Sequence, residues 1–154
     1  MKVTALEEYG LRCMILLARN AGVESLTLPE ISAKEGLSLP YAGKLLMILK
    51  QSGLVKAVRG RRGGYTLAKP PEQIVLREVF NALGEPVFGP NHCERYTENG
   101  ECCVHNEDCT VRTVWGTFNR FVSGYLDSVT LADLVKGNGN SGKSELPSQV
   151  DQSN

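Results

Sequence analysis

The chain has 154 residues and carries 17 Lys plus Arg against 17 Asp plus Glu, a size that suits one modest core or a small domain with an appended element. No stretch approaches the roughly 18 apolar residues of a membrane span, and the opening Met-Lys-Val-Thr-Ala-Leu-Glu-Glu has acids where an export signal needs an apolar run. The reading is therefore a cytoplasmic protein with no membrane partner. Net neutrality weakens a nucleic-acid function only if the charges are mixed, and here they are segregated. Between Gly36 and Pro70 stand Lys44, Lys50, Lys56, Arg59, Arg61, Arg62 and Lys69 without one acid, whereas between Glu85 and Asp108 six acids face only Arg95. A polyanion meets the local field and not the net total.

In chain order, Leu6, Tyr9, Leu11, Cys13, Leu16 and Leu17 fall near helical spacing and predict a first helix over roughly Ala5 to Arg19, capped by Thr4 with Glu7 three residues on. Glu8 sits in its first turn, where a carboxylate suits the helix dipole, and Gly22 ends it. A second short helix follows Thr27, with Pro29 in its first turn, and stops at Gly36. Ser38 caps a third, with Pro40 in its first turn and Leu45, Leu46, Ile48 and Leu49 as its buried stripe, ending at Ser52-Gly53. Two helices joined by a short Gly-containing turn make a helix-turn-helix candidate.

Residues Leu54 to Arg59 read as a strand, Gly60-Arg61-Arg62-Gly63-Gly64 as a turn, and Tyr65 to Ala68 as a returning strand. A structural hairpin needs one or two glycines, but it has no need of Arg59, Arg61 and Arg62 repelling one another at its tip. Phosphate, or a narrow minor groove, relieves that repulsion, so the hairpin reads as a nucleic-acid wing. Pro70-Pro71 closes it, and Leu76 to Leu83 forms a short helix. Residues 85–109, rich in Gly, Pro, Asn and acids, read as a long loop, of a length that is usually functional or disordered. Val111, Val114, Trp115, Phe118, Phe121, Val122, Tyr125 and Val129 then form a wide apolar stripe. On so small a chain a long helix of this kind predicts pairing with a second copy. Thr130 caps a last short helix, and from Gly137 the composition predicts a disordered tail.

The expected fold is mainly α with a small β-hairpin wing: a winged helix-turn-helix over residues 1–84, a cysteine-rich loop over 85–109, a dimerisation helix and short terminal helix over 110–136, and a tail over 137–154. Cys93, Cys102, Cys103 and Cys109 lie within 17 residues, beside His92 and His105. In a reducing compartment such a group points to metal or redox chemistry. Cys13, apart on an apolar helix, reads as a small buried hydrophobe. Zinc commonly takes C-x2–4-C pairs, which the spacing lacks. A disulfide switch has no specified pairing, and an iron–sulfur cluster accepts irregular loop thiolates. Spacing alone leaves zinc and iron–sulfur open. A cysteine hydrolase built on Cys103 or Cys109 with His105 lacks the orienting third group, so the chain does not read as an enzyme.

The order of basic helix-turn-helix, Leu54-Val55 through Val58-Arg59-Gly60, Gly63-Gly64-Tyr65, Leu67-Ala68, Pro70, cysteine loop and Thr130-Leu131-Ala132-Asp133-Leu134 resembles the Rrf2 family of winged-helix regulators, with its IscR and NsrR types, over residues 1 to 136. The resemblance implies a homodimer binding double-stranded operator DNA, with the long helix crossing its twin and an iron–sulfur cluster, 2Fe–2S or 4Fe–4S, near the interface. It implies Cys93, Cys103 and Cys109 as ligands, the last two at the family's five-residue separation, and gives Cys102 no role. The IscR type takes a histidine three residues after the last cysteine, where this chain has Arg112. The NsrR type takes an acid from the partner's first helix, which Glu8 matches, with His105 as the alternative. Ser38, Tyr41 and Lys44 are expected to face bases and phosphates in the major groove, and Arg59, Arg61 and Arg62 phosphate or the minor groove. Gly43 stands where the family often has an acid, so the target sequence is expected to differ. Oxidation, nitrosylation or iron loss is expected to change the relative angle of the two subunits.

Overall fold

The computed structural model describes residues 3–60, 63–84, 105 and 108–137. Six helices and a hairpin follow in order: α1 (Ala5–Arg19), α2 (Leu28–Glu35), α3 (Leu39–Gln51), β1 (Val55–Val58), β2 (Gly64–Leu67), a 3-10 turn at Pro71–Gln73, α4 (Leu76–Leu83), α5 (Thr110–Ser128) and α6 (Leu131–Val135).

The helix starts are written in local chemistry. Thr4 accepts the amide of Glu7 while the Glu7 carboxylate takes the Thr4 amide, and Thr27 with Glu30 and Thr130 with Asp133 repeat the arrangement at α2 and α6. Each box satisfies two of the amides that a helix start leaves without intrahelical partners. Gly36, in the left-handed region at φ 66°, closes α2 and sets the turn into α3. The first helix ends at Arg19 with Asn20 as its cap, whose side-chain amide donates to the Leu16 carbonyl at 2.7 Å; Gly22 falls in the turn beyond.

Helices α1, α2 and α3 pack about one core, with Met14, Leu17, Ile31, Leu45, Leu46 and Leu49 all nearly or fully excluded from water. Burying each such side chain contributes about 1.5–3 kcal/mol before entropy is charged against it. Ile48, expected in the buried stripe of α3, lies at its half-exposed edge, and Ala42 takes the inner place. β1 and β2 pair antiparallel with Val55 opposite Leu67 and Val58 opposite Gly64. Leu26 bonds Tyr65 in both directions, at 3.0 and 2.7 Å, which docks the wing on the segment before α2. The dock is tight enough that a Cβ on Gly64 would overlap the Leu26 carbonyl.

The last helix does not stay with α5. The Leu76 amide donates to the Val129 carbonyl at 2.9 Å and the Leu131 amide to the Ile74 carbonyl at 3.0 Å. This exchange straps α6 back against α1 and the 3-10 turn, with Leu131 fully buried. Residues 131–135 are therefore part of the N-terminal core, and α5 alone projects. No helix among the described residues is long and apolar enough to cross a membrane.

Candidate functional site

Helix α3 is held from two sides. At its start the Ser38 hydroxyl accepts the Tyr41 amide at 3.4 Å. Tyr41 itself is half-buried and meets Tyr9 of α1 edge to face, ring centroids 6.0 Å apart. The Arg12 guanidinium lies 5.4 Å from the Tyr9 ring centre, within cation–π reach, and its Nε bonds Glu35 Oε2 at 3.0 Å. Glu35 ends α2, where the dipole disfavours a carboxylate, and its side chain is only 12% exposed. Arg12 offsets that cost and pins the helix-helix turn to α1.

The remaining surface of α3 is open. Its buried line is Ala42, Leu45, Leu46 and Leu49. At about 3.6 residues per turn the opposite line is Pro40, Lys44, Met47 and Gln51, and all four are exposed. Of the residues expected to meet DNA, Ser38 and Lys44 are exposed on this helix and Arg59 is exposed at the end of β1. Tyr41 divides its surface between the core side and solvent. Arg61 and Arg62 lie outside the described residues. Met47, with no charged or hydrogen-bonding group, stands out only when counting outward from the buried stripe.

The cysteine segment is described only at its end. Cys93, Cys102 and Cys103 lie outside the described residues. His105 and Asp108 are exposed. Cys109 is half-buried and is the N-cap of α5, its Sγ accepting the Arg112 amide at 3.3 Å. A sulfur so placed sits where a helix favours negative charge, which fits the thiolate of a metal-bound cysteine. Glu8 is exposed in the first turn of α1. Helix α5 packs chiefly on α4. No cluster of three potential metal ligands occurs among the described residues.

Helix α5 buries none of its 19 residues. Val111, Val114, Trp115, Phe121 and Tyr125 are each between 39% and 62% exposed. Its ties to the rest of the chain include its packing on α4, Leu126 against the core, and the Arg77–Asp127 ion pair. By contrast Cys13 is fully buried, and burial first, then the nearby Glu35 carboxylate, pushes its thiol up to about 12.

Residues 3–137 match the profile of a family described as Rrf2, an iron-dependent transcriptional regulator. The chain is 32% identical over 136 residues to protein Rrf2 of Nitratidesulfovibrio vulgaris, covering 88% of each. Its structure is similar to that of T. potens IscR, with a TM-score of 0.72 at 30% identity over 94% of this chain and 93% of the other. It is also similar to CymR, the global cysteine regulator of B. subtilis, with a TM-score of 0.73 at 30% identity over 89% and 98%.

Proposed function

This chain belongs to the Rrf2 family of winged-helix transcriptional regulators, and we propose that it acts as a homodimer whose binding to operator DNA is controlled by an iron–sulfur cluster. The family is one of DNA-binding regulators and not of enzymes. The proposed ligands are Cys93, Cys103 and Cys109, with Glu8 of the partner subunit as the fourth. The observation that carries the metal reading is Cys109, a half-buried thiol held at the start of α5 by the Arg112 amide. The iron-dependent description of the matching family profile agrees with it.

A bound cluster supplies a centre sensitive to oxidants and nitric oxide. The chain's own residues supply the coupling. Cys109 caps α5, so holding its sulfur orders the first turn of the exposed helix. Glu8 precedes Tyr9, which packs on Tyr41 at the start of α3. A restraint on Glu8 therefore acts one residue from the contact that seats α3. The exposed apolar stripe of α5 supports the homodimer, since a twin helix would remove it from water. Lys44 and Arg59 are the described cations of the proposed interface; with Arg61 and Arg62, which the sequence places between the two strands, they would give affinity that falls steeply with salt.

Protein purified without air tests this reading through its visible absorption, iron and acid-labile sulfide, beside Glu8→Ala and Cys109→Ser variants. A brown wild type with iron, and loss or change of the chromophore in both variants, is the expected result. DNA selected by the brown protein should bind the cluster-free form at least tenfold more weakly or with altered half-site spacing. Equal binding by both forms removes cluster control. A second reading is favoured by the likeness to CymR, the global cysteine regulator: a regulator that answers through its thiols, by disulfide formation or zinc. A colourless, iron-free protein whose DNA affinity changes with thiol oxidation or zinc removal selects it.

A further inference from the structure

The operator-binding reading leaves open what α3 reads, and the outward line of that helix is unusual in chemistry. Along Pro40, Lys44, Met47 and Gln51, the centre is an exposed thioether, 53% open to solvent. Gln51 is in the last turn, and no acid occurs on the helix. The surrounding sequence from Gly36 to Pro70 carries seven cations and no acid, so the occupant of this face is a polyanion. An apolar side chain at the middle of a face turned to duplex DNA has one apolar partner available in the major groove, the 5-methyl group of thymine.

Resting on the operator-binding reading, we propose that Met47 is a specificity-determining residue that packs on a thymine methyl, beside Lys44 donating to guanine O6 or N7. Residues three apart on a helix are neighbours about 5–6 Å apart at Cβ, close enough for their side chains to reach base pairs one or two steps apart at about 3.4 Å per step. The thioether is unbranched and soft, which lets it follow the methyl group. Gly43, beside this line, carries no side chain that could accept from a cytosine amine. On the strand that Lys44 and Met47 contact, the recognition surface is thus biased to thymine and guanine and away from cytosine.

The test begins with selection from random duplex DNA, using full-length protein purified without air. Each thymine of the selected sequence is then replaced in turn by deoxyuridine, which deletes only the methyl. Affinities are measured for wild type, Met47→Ala and Met47→Leu. For wild type, one replacement per half-site is expected to weaken binding about three- to tenfold. Met47→Ala should bind the thymine and uracil duplexes equally, while Met47→Leu, which keeps an apolar contact, retains most of the discrimination. Indifference of the wild type to every replacement overturns the proposal while leaving operator binding intact, as does Met47→Ala discriminating as well as wild type. Failure to select any sequence removes the proposal together with the operator-binding reading beneath it.

Discussion

Cys13 and Cys109 show how position decides what a thiol does. Cys13 faces the core from α1, and burial together with Glu35 raises it from 9.0 to about 12. The thiolate is the reactive form, so Cys13 should resist alkylation by iodoacetamide in the native protein at pH 8 and react at an ordinary cysteine rate once unfolded. Mass spectrometry of tryptic peptides from native and denatured samples checks this, and native labelling at the denatured rate would contradict it. The stability linked to this group is fully present below pH 9, the unfolded value, and is lost as pH rises toward 12, because only the unfolded chain then sheds the proton readily. Cys109, a ligand that the family resemblance implies, is by contrast half-buried on a helix cap.

At the scale of elements, capping boxes decide where helices begin and give the fold a pH response. Asp133 accepts from the Thr130 hydroxyl and amide at 2.7 and 2.9 Å, and these bonds hold its carboxyl below the usual 3.8. Glu30 is held below 4.5 by Thr27 in the same way. A carboxylate lowered in the folded state contributes stability above its unfolded value and loses it as pH falls through the folded value. The Glu30 box therefore weakens as pH falls below 4.5 and the Asp133 box as it falls below 3.8. Thr130→Ala should cost about 1 kcal/mol and flatten part of the acid limb, measured by urea unfolding at pH 7 and at pH 3. A cost as large at pH 3 as at pH 7 would exclude the carboxylate's part in it. The Thr4–Glu7 box and the Thr27 and Thr130 helix starts were legible from spacing alone because every atom involved lies within four residues. The Arg12–Glu35 pair was not, since its partners are 23 residues apart and meet only after α1 and α2 pack.

For the whole molecule the decisive feature is the division between a closed core and an open helix. Residues of α1 to α4 and α6 share one apolar interior, while α5 leaves its aromatic face to solvent. Phe121→Glu places a charge in the middle of that face. Burying a phenylalanine contributes about 1.5–3 kcal/mol per copy, so the variant should sediment as a monomer at concentrations where the wild type is a dimer, with circular dichroism unchanged. A wild type that sediments as a monomer, or a variant that stays a dimer, would send the apolar stripe to another role. In the proposed dimer two copies of α3 would enter successive grooves, so on that reading the monomeric variant should also lose most operator affinity while keeping weak, salt-sensitive binding to any duplex.

Sequence by itself determined the winged helix-turn-helix, its helix starts, the hairpin and the family resemblance, since caps, turn glycines and periodic apolar stripes act over a few residues. Tertiary structure alone decided three things. It returned α6 to the N-terminal core, because Ile74 and Leu131 must meet across a span of 57 residues to exchange their bond. It left α5 uncovered, because burial is a property of neighbours and not of periodicity. It turned Met47 outward, because the open line of a helix exists only once its opposite line has found a core to occupy.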